Sequence, residues 1–164
     1  MTEESANAVC RMDVELCDIV KSLRLKYPND KYLKLDFSMK HCVLENYADQ
    51  VIDPSTTSSC IKTNKAFMHH KIPYTPIGDN KIIPTLNHKF FITDLPYGLV
   101  TFKDIANSLN VRTPLIDEMI MWNQKLVGKE YCGRVGGRVT VGGRDVGECV
   151  APNFMGIKEG DIDE

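Results

Sequence analysis

The stretch TPLIDEMIMWNQKLVG, running from Thr113 to Gly128, decides the fold class. Proline follows Thr113 at the first helical position, where its missing N–H costs nothing and its fixed φ suits the turn. Ile116, Met119/Ile120, Asn123 and Leu126/Val127 then share one stripe, and Gly128 offers a left-handed stop. The spacing predicts a helix ending at Gly128. Just upstream, Thr101 with Asp104 three residues on reads as the cap of another helix, with Val100 and Ile105 as its hydrophobic staple. Asn110-Val111-Arg112 joins the two into a helical hairpin.

Working outward, the same period recurs. Met12, Leu16, Ile19/Val20, Leu23 and Tyr27 form a stripe that Pro28-Asn29-Asp30 ends. Met39, Val43, Tyr47 and Val51 form a second, closed by Asp53-Pro54. Such stripes are core faces rather than cofactor contacts. From about Ile61 to Phe91 the prolines at 73, 76 and 84 predict loop with short elements. This region is locally basic, with Lys62, Lys65, Lys71, Lys81 and Lys89 against Asp79 alone, beside His69, His70 and His88. It reads either as solvated lysines or as a surface that attracts small carboxylates. From Gly128 to Gly160 lie nine of the 11 glycines, and Val139-Thr140-Val141 between glycine pairs predicts one small hairpin. The acidic end, Glu159 to Glu164, is expected to fray. The chain therefore reads as mainly α, in two parts: a helical domain over 1–128 and a Gly-rich tail over 129–164 that packs on it.

Composition excludes several classes. With 164 residues, 43% apolar and 26% charged, the chain is ordinary globular material. A net charge of −2 argues against a strongly basic nucleic-acid binder and against a polybasic membrane-surface protein. No apolar window approaches a membrane span. The acidic, polar start lacks a secretory pattern, so the expected compartment is cytoplasmic, with Cys10, Cys17, Cys42, Cys60, Cys132 and Cys149 as reduced thiols. Gly137-x4-Gly142 is followed by Gly143-Arg144 and not by the lysine and hydroxyl of a phosphate loop, and no Gly-x-Gly-x-x-Gly occurs. His41-Cys42, Cys60 and His69-His70 lack metal-ligand spacing, and no thiol has a local partner that would make it a nucleophile.

One segment carries chemical information: Asn87-His88-Lys89-Phe90-Phe91-Ile92-Thr93-Asp94-Leu95-Pro96-Tyr97-Gly98-Leu99-Val100. Asp94 follows an apolar run and precedes a proline. Chemistry alone leaves two roles open, a turn former satisfied by backbone donors or an acid that orients and charges a histidine base.

Thr93 to Val100, then Ile105 to Leu109, then Thr113-Pro114-Leu115-Ile116-Asp117, resembles the C-terminal helical domain of the opine dehydrogenases, among them the octopine, tauropine, alanopine and nopaline enzymes. Tyr47, Asp53, Thr63 to Phe67, Pro73, and the run from Gly142 to Ala151-Pro152 and Gly156 fall where a similar enzyme has them. The resemblance implies a helical, substrate-side domain of the 6-phosphogluconate-dehydrogenase-C-terminal-like type. It implies an enzyme that condenses an amino acid with pyruvate or another 2-oxo acid, using NADH or NADPH on a separate N-terminal domain missing from this chain. It implies no metal. By the same resemblance Asp94 matches the aspartate that partners a catalytic histidine. Lys89 stands where an arginine takes the substrate carboxylate, keeping the charge but losing the bidentate fork. Asn64 matches a cleft-facing asparagine. None of His41, His69, His70 or His88 matches the family's histidine, so this chain alone is not expected to turn over.

Three readings follow: the substrate-side part of an opine dehydrogenase, a non-catalytic protein-interaction module derived from it, or an unrelated cytosolic helical domain. The first two expect association with a nucleotide-binding domain or a full-length relative, and neither expects nucleic acid or membrane as partner. If a neighbouring helix is absent, the stripes at Met12–Leu23 and Met39–Val51 leave apolar surface exposed.

Overall fold

The computed structural model describes residues 2–68 and 73–157, and the chain divides into two compact units, Met1–Ile72 and Pro73–Glu164. Expectations that fell on His69, His70, Lys71 and Glu159 to Glu164 lie outside the described residues. Among the described residues no helix is long and apolar enough to cross a membrane.

The first unit is built of three helices: α1 (Glu3–Lys26), α2 (Met39–Tyr47) and α3 (Thr57–Lys62). The α1 helix starts nine residues before the first predicted stripe residue, because Thr2 caps it by accepting from the Ser5 N–H at 3.2 Å. Glu3 and Glu4 in its first turn and Arg24 and Lys26 in its last complement the macrodipole. Arg24 then donates to the carbonyls of Leu33 and Leu35, both at 2.5 Å, and holds the loop after α1. Asp13 of α1 accepts from the Met39 N–H at 2.7 Å, so one helix satisfies an orphan donor at the start of the next. In α3 Thr56 and Ser59 form a reciprocal capping box. Ala6, Ile19, Val43 and Cys60 are the buried apolar residues here.

The second unit opens with a two-stranded antiparallel hairpin, β1 (Tyr74–Pro76) and β2 (Ile82–Pro84), in which Thr75 faces Ile83. A short helix α4 (Lys89–Ile92) leads into a π-helical segment over Asp94–Leu99. The α5 (Val100–Ser108) and α6 (Pro114–Leu126) helices make the expected hairpin. A second antiparallel pair, β3 (Cys132–Val135) and β4 (Arg138–Val141), turns at Gly136-Gly137 as predicted. Gly128 sits at φ +70° and ends α6. Leu95, Val100, Ala106, Ile116, Ile120 and Val139 are almost fully buried and form the core of this unit.

Two capping expectations need correction. The α5 helix continues directly from the π-helical segment and has no side-chain cap; the Thr101 hydroxyl donates back to the Tyr97 carbonyl at 3.0 Å. Asp104, expected at N3 of a capping box, instead accepts from both the backbone N–H and the side-chain amide of Asn153 at 2.8 Å. The reason is that α5 has no free N-terminus to cap. Its first amides are already satisfied by the preceding turn, as when the Val100 N–H donates to the Leu95 carbonyl. The Asp104–Asn153 clasp and the buried Gln124 hold the Gly-rich tail. Gln124 accepts from the Tyr131 and Cys132 amides at 3.0 Å and donates to the Cys132 carbonyl at 2.9 Å.

Candidate functional site

The geometry of 88–100 follows from its proline. His88 caps α4, its ring nitrogen accepting from the Phe90 N–H at 3.4 Å. Proline at 96 has no N–H, so the regular i→i−4 ladder breaks there. The chain resumes with wide i→i−5 closure, from the Val100 N–H to the Leu95 carbonyl. Single π turns of this kind are frequent at functional sites. Leu95, 1% exposed, and the buried Pro96 and Val100 anchor the segment from beneath. That leaves Asp94 at its start, on the surface.

Asp94 is exposed, and among the described residues its carboxylate has no hydrogen-bond or ion-pair partner. It is therefore not held by backbone donors as an ordinary turn former would be. Lys89, one helical turn earlier, is also exposed, its ammonium 5.9 Å from the centre of the Phe90 ring and without a carboxylate partner among the described residues. The two are charges that the fold has left unneutralised on one short stretch.

Asn64 belongs to the first unit. It is fully buried, and its backbone bridges to Val51. Its side-chain oxygen accepts from the Ala66 N–H at 2.9 Å, which fixes the orientation of the amide. The amide nitrogen then has no acceptor, the one such buried side-chain atom among the described residues. A buried donor without a partner costs about 1–3 kcal/mol, so this amide is a costly feature of the first unit.

Histidine offers no base beside Asp94 in the described residues. His88 is engaged as the α4 cap, and His41 lies in the other unit, 4.0 Å from Asp36 and 3.8 Å from Glu45. Two of the six cysteines are held as poor nucleophiles by burial. All six are free, and burial pushes the thiol of Cys132 up to about 12 and that of Cys149 to about 11. No group of three metal-ligating side chains occurs among the described residues.

Two features escaped sequence reading. One is the π turn, whose only signal is a proline inside an otherwise helical apolar run. The other is a buried polar cluster in the helical hairpin. Lys103, 3% exposed, donates to the Thr113 hydroxyl at 2.9 Å and forms an ion pair with Asp117, to which Thr113 also donates at 3.2 Å. Thr113 stands at the N-cap position of α6, as Thr113-Pro114 predicts, and its side chain joins this cluster. A lysine on the inner face of α5 is the signal that could have found it.

The family model for the NAD/NADP octopine/nopaline dehydrogenase alpha-helical domain matches residues 1–127. The chain belongs to that family. Its relatives include the tauropine dehydrogenase of Arabella iricolor, 39% identical over 68% of this chain and 27% of that protein. The octopine dehydrogenase of Pecten maximus is 32% identical over 70% of this chain and 27% of its own length. An opine dehydrogenase of Haliotis discus hannai aligns over 96% of the chain at 27% identity, covering 38% of the relative. This member thus spans between a quarter and two fifths of the curated opine dehydrogenases it matches. A structure of octopine dehydrogenase with NADH and agmatine superposes with a TM-score of 0.83 at 26% identity, over 95% of this chain and 37% of that one. The same enzyme with NADH and L-arginine gives 0.82 at 25% identity, with the same coverage. The helical domain of that family therefore accounts for residues 1–127, and the octopine dehydrogenase fold for 95% of the chain.

Proposed function

We propose that this chain is the substrate-side part of an opine dehydrogenase, an oxidoreductase that joins the amine of an amino acid to the carbonyl of pyruvate or another 2-oxo acid and reduces the resulting C=N bond. The observation that carries this reading is Asp94, an exposed carboxylate without a partner, presented at the start of a π turn in a family member. Its role is to accept from a histidine ring nitrogen, orienting the imidazole and stabilising its charged form. That histidine comes from outside the four of this chain. Lys89 supplies a positive charge for the substrate carboxylate, as a point charge and not a fork, so it fixes orientation less tightly than arginine does. Asn64 offers its unpartnered amide to an acceptor on a ligand.

The reducing nucleotide, NADH or NADPH, does not fit the described residues. Both sheets are two-stranded and antiparallel, and there is no parallel βαβ unit to hold a pyrophosphate. We assign its binding to a separate N-terminal domain, with 1–128 as the helical domain, 129–164 as a tail packed on it, and the whole in the cytoplasm.

The test is mass and then mutation. Immunoblot or intact mass spectrometry of the source tissue should find this sequence within a product longer by roughly 150–250 residues, room for one further domain. In that product Asp94→Asn should lower kcat by about 10²–10⁴-fold with little change in unfolding midpoint. A native product no longer than 164 residues, or an Asp94→Asn enzyme with unchanged kcat, overturns the reading. The first outcome would favour the alternative of a non-catalytic interaction module, which the exposed Phe90, Ile92, Tyr97 and Phe102 also suit.

A further inference from the structure

Between α5, α6 and the β3–β4 turn lies a cavity of about 90 Å³ lined by Lys103, Asn110, Arg112, Thr113, Asp117 and Arg138, with Asn107, Val111, Pro114 and Gly137 completing the wall. It is separate from the residues of the proposed catalytic site. Its electrostatics are one-sided. Three cations line it against a single carboxylate, and that carboxylate, on Asp117, is already engaged by Lys103 and Thr113. The guanidinium of Arg138 is held at the rim by a neutral partner, donating to the Asn110 side-chain oxygen at 2.6 Å. That bond leaves its charge uncompensated. Arg112 has no partner among the described residues. Lys103 is nearly fully buried, and of its three donors two are used by Thr113 and Asp117.

We propose that this cavity is a binding site for a phosphate oxyanion, carried either free or as the end of a phosphorylated small molecule. The volume fits a compact polyatomic anion, being about three times the share of one liquid water. The donors suit such an anion better than a neutral ligand. Two guanidinium groups present planar forks that match phosphate oxygens, and the lysine adds a buried point charge. Asn110, held at φ +56°, keeps its carbonyl oxygen turned to Arg138, so the fork is oriented before any ligand arrives.

The test is a titration of the ¹⁵N-labelled 164-residue chain with inorganic phosphate at constant ionic strength, balanced with chloride. Saturable shifts should be confined to the amides of 110–113 and 137–138 and to the Nε signals of Arg112 and Arg138. Arg112→Gln removes a charge that has no hydrogen-bond or ion-pair partner among the described residues. It should weaken binding by about fivefold or more, the worth of one charge-assisted hydrogen bond. Arg138→Gln, which still reaches Asn110, should do the same. Methyl phosphate separates the two sources: saturation at the same signals supports a phosphorylated molecule, and its failure beside a positive phosphate result supports the free ion. Shifts that do not saturate against chloride, or binding kept by the Arg112→Gln/Arg138→Gln double variant with its spectrum otherwise intact, overturn the proposal.

Discussion

The second unit contains two lysine–aspartate sets with opposite fates. Lys103 and Asp117 are drawn inside the helical hairpin, where Thr113 completes their hydrogen bonding. Lys89 and Asp94 lie on one short exposed stretch, and neither has a partner among the described residues. A buried charge left unpaired is intolerable, so the inner set must be matched by the fold itself. An exposed charge carries no such penalty, and the fold can leave it free for a ligand. The same two residue types therefore serve the architecture in one place and are available to chemistry in the other.

Breaking the inner set should give the largest effect. Lys103→Met leaves Asp117 without its cation in a largely enclosed position and should cost about 3–5 kcal/mol of stability in chemical denaturation. The double variant Lys103→Met/Asp117→Leu should recover much of that loss, because an apolar replacement of both partners removes the desolvation problem. A single variant as stable as the parent would mean that the pair is not buried in solution.

A smaller loss is expected from steric conflict. Gly143 accepts no side chain, since an added Cβ would stand 2.1 Å from the Glu130 carbonyl oxygen. Gly143→Ala should force the loop away from Glu130 and cost about 1–3 kcal/mol, read as a lower unfolding midpoint. Gly98 is the control, with open space where its Cβ would be, and Gly98→Ala should not repeat the loss.

Asn64 sharpens the contrast from the other unit. Asn64→Ala loses the bond to the Ala66 amide but also removes a buried orphan donor, so the two terms should offset to within about 1 kcal/mol. Under the proposed function, the same variant in a longer, active product should raise KM for one substrate. A large stability loss with unchanged KM would make the residue purely architectural.

Much of this was legible in sequence, and the reasons differ by element. The α5–α6 hairpin was readable because Pro114 and Gly128 bracket a clean apolar stripe. The β3–β4 hairpin was readable because only glycine sits easily at the positive φ of 136 and 137. The start of α1 was not, since its first turns carry few apolar residues and depend on a threonine cap and on charges opposing the dipole. The position of Asp94 was legible, but its lack of a partner was not. Whether a carboxylate before proline accepts backbone donors depends on the π closure, and no local pattern encodes that. The partners of the buried Lys103 and Asp104 lie 10 and 49 residues away in sequence. Pairings of that kind are set by the fold and have no periodicity to betray them.

The mildest prediction concerns acid. Asp145 accepts from the Glu130 N–H at 2.8 Å, and that bond, with Arg144 and Lys129 nearby, holds its carboxyl below the ordinary aspartate range. A carboxylate with a depressed folded pKa contributes stability that is full above its unfolded value and lost as pH falls through the folded one. Asp145 should therefore steepen the loss of stability on acidification below the ordinary aspartate pKa and have no pH-dependent effect near neutrality. Asp145→Asn keeps an acceptor for the Glu130 amide but cannot titrate, so its stability–pH curve should be flatter on the acid side. Asp94 is the comparison. Its carboxylate has no partner among the described residues, so Asp94→Asn should leave stability within about 0.5 kcal/mol, as for other surface substitutions. A stability loss at neutral pH in Asp94→Asn well beyond that figure would mean that Asp94 is held by a partner in the folded chain. The distinction between a matched carboxylate and a free one would then fail at its most exposed point.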